Sequence, residues 1–302
     1  SDDVKKITST YKNYTLIATN FLGNNRAGGQ EKVTSFDKKK FPPKEVENFD
    51  GLSNFQKKNF YEFEKLYEFL NKYFEDQLFL IRPHPGESID YYLKLEKKFK
   101  NIKIIDSTNS IIPWILASDR MISSNCTTSI ESYMLEKISI NYVPFKDARF
   151  EYELPKLLSV NFDNIDDLKK VLEKDRLENL TQISDDNKKK AEKFIKCIND
   201  NNSYEIILNN LADLKIKKIN CKDKFQNKLN FYYYLIKNRI KNIFIYLNKG
   251  DTFAYQTQIN KRTNFNLKNI QERLLKISKA IDPSNTYSVT ERYYGMFYIK
   301  KN

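Results

Sequence analysis

The stretch Gln77-Leu-Phe-Leu-Ile-Arg-Pro-His-Pro-Gly-Glu87 runs an apolar strand pattern, Leu78 to Ile81, straight into a stiff turn. Proline on both sides of His84 removes two backbone donors and fixes φ, so the imidazole sits on a rigid support. Working outward, strand and helix periods alternate. Tyr14 to Phe21 reads as a buried strand, and Ser53 to Glu75 as a helix with Phe55, Phe60, Phe63, Tyr67, Leu70 and Phe74 near helical spacing. Helix 88–100, strand 102–106, short helix 111–118, strand 119–123, helix 127–137, strand 138–143 and helix 166–174 follow. This β-α-β alternation predicts an α/β fold, a parallel sheet flanked by helices with right-handed crossovers. Leu22 to Asp50, with Gly28-Gly29 and Pro42-Pro43, reads as a long mobile loop. Ligands of such sheets bind just past the carboxyl ends of the strands, which makes Arg82 and His84, the one histidine of 302 residues, a candidate anion contact. A histidine that only shapes a Pro-rich turn is the plainer alternative.

A second polar cluster lies about forty residues on, in Asp119-Arg-Met-Ile-Ser-Ser-Asn-Cys-Thr-Thr-Ser-Ile-Glu131, a strand running into a helix. Ser123, Ser124, Asn125, Thr127, Thr128 and Ser129 crowd the junction. A single hydroxyl suffices to cap a helix. Five hydroxyls and an asparagine exceed that need, and free amides with the helix dipole favour an anion such as phosphate. Glu131, one turn inside the helix, is placed to accept from ribose hydroxyls or simply to face the dipole. Trp114 and Ile111 to Pro113 precede the strand. A base pocket is one reading of them, although core packing is favoured for Trp114.

Composition bounds the classes. Hydrophobic residues make up 40%, enough to fill a core, while 7 glycines argue against Gly-rich nucleotide loops. No run of roughly 18 apolar residues occurs, so no membrane span is predicted. No secretory leader opens the chain, whose first residues Ser1-Asp2-Asp3 look like an arbitrary start; a cytoplasmic protein is expected. Cys126, Cys197 and Cys221 are odd in number and widely spaced, which fits reduced thiols and no metal. The net charge is +13, but from Lys215 onward there are 19 basic and 5 acidic residues, leaving 33 basic and 34 acidic before it. Residues 184–199, 204–218, 225–248 and 265–280 read as helices, and Tyr287 to Lys300 as a strand or hairpin. The expected division is a leader (1–13), a Rossmann-like α/β domain that carries both polar clusters (14–180) and a basic, mainly helical C-terminal extension (181–302).

Taken in order, Tyr14–Phe21, the Arg-Pro-His-Pro-Gly-Glu turn, Ile111–Asp119, Asn125–Glu131 and Ile138–Pro144 resemble bacterial surface-carbohydrate and capsule-polysaccharide biosynthesis proteins. Within these the chain is similar to the C-terminal, donor-binding half of a GT-B-type glycosyltransferase, a Rossmann-like unit. The resemblance covers about residues 14–175. It implies that His84, with Arg82, and Ser123, Ser124, Thr127 and Thr128 contact the donor phosphate. It also implies that Glu131 meets the ribose and that the backbone around Ile112 and Pro113 faces the base. Similar His-Pro and Ser/Thr motifs mark bacterial sialyl- and Kdo-type transferases and CDP-glycerol polymerases. A CMP-linked donor follows from that likeness, with CDP-, UDP- and GDP-linked donors left open.

The resemblance implies a metal-independent glycosyltransferase without a cofactor, and no Asp-x-Asp site is present for a metal. Its partners would be a nucleotide-activated sugar, a glycan or lipid-linked glycan acceptor, and a further N-terminal GT-B half in cis or in trans. No catalytic base is assigned; Asp147, Glu151 and Glu153 lie in a loop after the Pro144 strand. A non-catalytic nucleotide-binding or scaffold module of a polysaccharide assembly complex is the alternative. On helix 225–248, Leu229, Tyr232, Tyr233, Ile236, Ile240, Ile243, Phe244 and Leu247 share one face, with Lys228, Lys237 and Lys241 towards another. Packing against a core is the usual role of such a stripe. The alternative is an anionic membrane surface, peripheral to the inner face of the cytoplasmic membrane. Basic and aromatic residues are not interleaved on a sheet face, so no nucleic-acid partner is expected.

Overall fold

The computed structural model describes residues 2–27, 42–105, 107, 109–173 and 183–195, and of the remainder 232–233, 236–237, 240, 268, 270–272, 274–275, 287–293 and 296–301. Strand β1 (Tyr14–Ala18) is the axis. It pairs in parallel with β2 (Leu78–Arg82) on one side and β4 (Arg120–Ser123) on the other. With β3 (Ile102–Ile104), β5 (Ile138–Tyr142) and β6 (Val160–Phe162), all parallel, the sheet order is β3-β2-β1-β4-β5-β6. This is the Rossmann-like order, with its reversal between β1 and β4. The register sets Ala18 level with both Arg82 and Ser123. The chain therefore leaves three adjacent strands at one height, and the segments after β1, β2 and β4 share one edge.

Strand period two sorts the core. Tyr14, Leu16 and Ala18 pack with Leu80 and Met121 against Ile7 of α1 (Asp2–Thr10) and Ile115 of α4 (Ile112–Ala117). Ile17, with Phe79, Ile81, Ile122 and Ile140, meets the opposite layer. That layer consists of Phe60, Phe63, Leu66, Tyr67 and Leu70 of α2 (Pro43–Tyr73), Tyr92 of α3 (Ile89–Lys98), and Leu168, Val171 and Leu172 of α7 (Ile165–Leu172). Each large apolar side chain so buried contributes roughly 1.5–3 kcal/mol. Surface pairs such as Lys98–Glu68, 2.7 Å apart with both side chains more than half exposed, add at most about 1 kcal/mol. Burial therefore decides the fold. Around these layers stand α5 (Thr128–Met134), α6 (Glu153–Leu157) and α8 (Asp185–Glu192), and Ala191 of α8 packs on Leu157 and Leu158 beside α6.

The structure departs from the sequence reading in several places. The stretch to Asp50 is not all loop, because α2 begins at Pro43 and runs 31 residues. Pro42-Pro43 looked like a breaker, yet proline at the first helical position has its fixed φ already suited to a helix. Gly51 lies inside α2 where a Cβ would come within 2.6 Å of the Phe150 ring. The segment before Tyr14, read as a leader, holds α1, docked on α4 through Ile7. Strand β6 and helix α6 carried too short a periodic signal to be read. Strands β7 (Tyr287–Tyr293) and β8 (Met296–Lys301) pair in antiparallel. Predicted helix 204–218 falls outside the described residues. Of 225–248 only Tyr232, Tyr233, Ile236, Lys237 and Ile240 are described, all helical and exposed. No described helix is long and apolar enough to cross a membrane.

Asn59 fastens α2 to the far side of the sheet. Its amide donates to the carbonyls of Phe55 (3.1 Å) and Phe145 (2.9 Å), and its oxygen accepts from the Phe145 N–H (3.1 Å). The side chain is almost wholly buried. Asn59→Ala strands buried backbone groups, each at about 1–3 kcal/mol. Urea unfolding is expected to show a loss of about 3 kcal/mol with secondary structure retained.

Candidate functional site

The turn after β2 is tied to the loop after β1. Ala27 N–H donates to Gly86 O (3.0 Å), Ser88 N–H to Asn25 O (2.9 Å), and Asn25 Nδ2 to Ser88 O (3.0 Å). Glu87 is the centre of this joint. Its buried carboxyl accepts from Thr19 Oγ1 (2.7 Å), from the Phe21 N–H and from the Tyr92 hydroxyl, whose oxygen also lies 3.0 Å from Thr19 Oγ1. Burial pushes the Glu87 pKa up to about 7, against the pull of those three hydrogen bonds. Glu87 stands in the quoted turn, but no sequence signal assigned it a role, because its partners lie on α3 and on the loop after β1.

His84 is half-buried on this anchored turn. The Gly86 N–H donates to His84 Nδ1 (3.1 Å). An imidazole that accepts at Nδ1 carries its proton on Nε2, so the ring presents a donor there. Arg82 Nη2 donates to the carbonyls of Ser107 (3.2 Å) and Asn109. It thereby holds the approach to α4, where Ile112 and Pro113 are half-buried. Arg82 also lies within electrostatic reach of Glu131. Crowding by protein raises the Glu131 pKa, and the Arg82 charge lowers it. Trp114 packs on Tyr11 with ring centroids 6.0 Å apart, and its carbonyl accepts from Tyr14 Oη (2.6 Å), so it belongs to the core.

At the β4–α5 junction the hydroxyls are not equivalent. Ser123 has no exposed surface and shares a hydrogen bond with Ser129 Oγ (3.0 Å), which also donates to Cys126 O (2.9 Å). These two hydroxyls are committed to the joint between strand and helix. Thr127 has helical φ and ψ and makes no side-chain cap. The first amides turn inward instead, Ser129 N–H to Cys126 O (3.1 Å) and Ile130 N–H to Thr127 O (3.0 Å). The plainer alternative, simple capping of this helix by Thr127, is therefore not what the structure has. Cys126 Sγ takes that place, receiving the Thr128 N–H and sharing a hydrogen bond with Thr128 Oγ1 (3.1 Å), while burial pushes its thiol pKa up. Thr127 is exposed and Thr128 half-buried at the edge. Ser124 is buried on the side of α2.

Asn125 adopts the left-handed conformation (φ 48°), which asparagine tolerates better than most residues. It is held by three bonds: its N–H to Asn141 Oδ1 (2.8 Å), Nδ2 to Phe150 O (2.7 Å), and Oδ1 from the Tyr152 N–H (2.6 Å). Asn141 Nδ2 continues to Asn161 Oδ1 (2.9 Å). The loop carboxylates are engaged locally, Asp147 with Arg149 (2.7 Å) and Glu151 with Lys156 (3.4 Å), and Glu153 opens α6. Arg149 holds the Asp147 carboxyl below its usual range. Among the described residues no group of three His, Cys, Asp or Glu side chains converges as a metal site would.

No protein-family model matches this chain, and no curated protein matches it. Among solved structures it is similar to the UDP-GlcNAc 2-epimerase of Methanocaldococcus jannaschii, solved in complex with UDP-GlcNAc and UDP. The identity is 16% and the TM-score 0.33, over 57% of this chain and 41% of that one. The chain thus spans about two fifths of the length of that enzyme. A likeness at that score adds nothing to the sheet order described above.

Because Glu87 holds its proton more tightly in the folded state than in the unfolded chain, its contribution to stability is full below pH about 4.5 and is lost as pH rises through about 7. The difference corresponds to on the order of 3 kcal/mol. Chemical denaturation of wild type and Glu87→Gln between pH 4.5 and 7.5 is expected to show this decline in the wild type only. Parallel curves would remove the assignment.

Proposed function

We propose that this chain carries the donor-binding part of a metal-independent glycosyltransferase of the GT-B type that acts in bacterial surface polysaccharide assembly. The observation that carries the reading is the anchored His84. A rigid turn at the carboxyl end of β2 holds an imidazole whose Nδ1 accepts from its own turn, which assigns the proton of the neutral ring to Nε2. His84 would donate to the donor phosphate, with Thr127 and Thr128 at the neighbouring edge and the Arg82 charge behind. Glu131, beside Arg82, would accept from the ribose, and the backbone at Ile112 and Pro113 would face the base. Negative charge grows on the leaving nucleotide as the glycosyl bond breaks. Donors held rigidly at that point stabilise the transition state without reorganising. The acceptor would come from a further Rossmann-like unit, in cis or in trans.

Calorimetric titration with CMP, CDP, UDP and GDP tests the reading, with wild type beside His84→Ala. At least one nucleotide is expected to bind, with affinity about 10- to 100-fold weaker in the variant, the loss of one hydrogen bond to a charged group. Equal affinity in a folded His84→Ala sinks the phosphate assignment.

A further inference from the structure

The carboxyl of Glu87, the hydroxyl of Thr19 and the hydroxyl of Tyr92 form a closed triangle of oxygens. Thr19 Oγ1 stands 2.7 Å from Glu87 Oε2, Tyr92 Oη is hydrogen-bonded to the same oxygen, and Thr19 Oγ1 and Tyr92 Oη are 3.0 Å apart. Glu87 Oε1 is taken by the Phe21 N–H. Each hydroxyl owns one hydrogen. With Glu87 ionised, both hydrogens go to the carboxylate, and Thr19 and Tyr92 face each other as two bare oxygens. With Glu87 protonated there are three hydrogens for three contacts. The acid donates to Thr19, Thr19 to Tyr92, and Tyr92 back to Glu87. The geometry fits the neutral acid, in accord with a pKa that burial pushes up to about 7.

The groups around the triangle are the Tyr91 and Tyr92 phenols of α3, the Tyr67 phenol of α2, the Cys126 thiol before α5, and Arg26, opposite Glu87 in an isolated β-bridge. Glu64 of α2 accepts from Tyr91 Oη (3.0 Å), and Arg82 and His84 share the turn with Glu87. Burial raises the three phenols and the thiol, so all four stay neutral near pH 7. The Glu87 charge reaches Cys126, whose thiol it helps to push up, and Cys126 directly precedes Thr127 and Thr128. On the other side the Glu87 N–H donates to His84 O (2.8 Å). A negative charge at Glu87 thus acts on both sides of the edge where the donor phosphate would sit, from a buried position that solvent and salt screen weakly.

We propose that anion binding at the His84 edge is linked to the proton of Glu87: the closed neutral ring is the binding-competent form, and ionisation of Glu87 weakens the site. The inference rests on the donor-binding reading for the identity of the anion. Linkage is reciprocal. Affinity therefore falls as pH rises past neutrality, and a nucleotide that binds above neutrality draws a proton onto Glu87.

Two measurements on the full chain test this, with wild type beside Glu87→Gln and folding checked by circular dichroism. Infrared titration of the wild type is expected to show the carbonyl stretch of a protonated carboxylic acid, lost as pH rises through about 7 and absent from the variant. If Glu87→Gln does not fold, Tyr92→Phe takes its place. It removes a hydrogen bond that favours the ionised form, so the band should persist to higher pH. A wild type without this band overturns the inference. Calorimetry with CMP, CDP, UDP and GDP at about pH 6 and about pH 8 reads the linkage. For a nucleotide that binds, affinity is expected to fall about tenfold further in wild type than in the variant. Titration of His84 and of the nucleotide is common to both proteins and cancels. Equal falls overturn this inference and leave the donor reading standing. No binding of any nucleotide by the wild type overturns the donor reading and this inference with it.

Discussion

The carboxyl group of Glu87 is the constraint on which the geometry of the carboxyl edge depends. It gathers a hydroxyl from the end of β1, an amide two residues further on and a phenol from α3 into one buried point. Each hydrogen bond to a charged acceptor contributes about 1.5–3 kcal/mol, while an ionised carboxylate in the interior costs several. The balance tips towards the protonated acid, as the raised pKa shows. The loop after β1 and the Pro-His-Pro turn therefore cannot move independently. His84 inherits its rigidity from a residue that is almost wholly buried.

Away from Glu87, the same edge is stitched by amides. Asn59 joins α2 to Phe145 at the end of β5, Asn125 joins the β4 turn to the loop at Phe150–Tyr152, and Asn141 joins Asn161 across β5 and β6. At the opposite, amino edge, Asn101 Nδ2 closes the C-terminal turn of α2 on the carbonyls of Leu70 (3.2 Å) and Phe74 (2.8 Å). An amide satisfies a donor and an acceptor together without the desolvation penalty of a charge. Among the described residues these joints at the edge are thus built from neutral groups. Arg82 and Glu131 are charges brought together at the carboxyl edge, which gives that place a different chemistry from the amide joints.

Much of the fold was legible in linear order. Apolar runs of four or five residues separated by helical periods define β1, β2, β4 and β5, because strands buried on both faces need continuous apolar side chains. The Pro-His-Pro turn was legible because proline acts locally on φ. The hydroxyl cluster after β4 was legible as a cluster but not as a set of roles. Ser123 and Ser129 hold strand to helix, Ser124 faces α2 and Thr127 remains outside, yet all are small hydroxyl residues within one turn. Which way each side points depends on the exit angle of the chain at Asn125, whose left-handed conformation is set by partners at positions 141, 150 and 152.

The sequence by itself determined the parallel α/β architecture, the placing of the single histidine at a strand end, and the concentration of basic charge in the C-terminal third. All of these are set by periodicity, by proline or by counting. Only the tertiary structure decided that β1 lies between β2 and β4, that Glu87 anchors the His84 turn, and that α2 starts at Pro43. These depend on contacts between residues dozens of positions apart. Their strength comes from burial and from hydrogen bonds that exist only once the strands have paired.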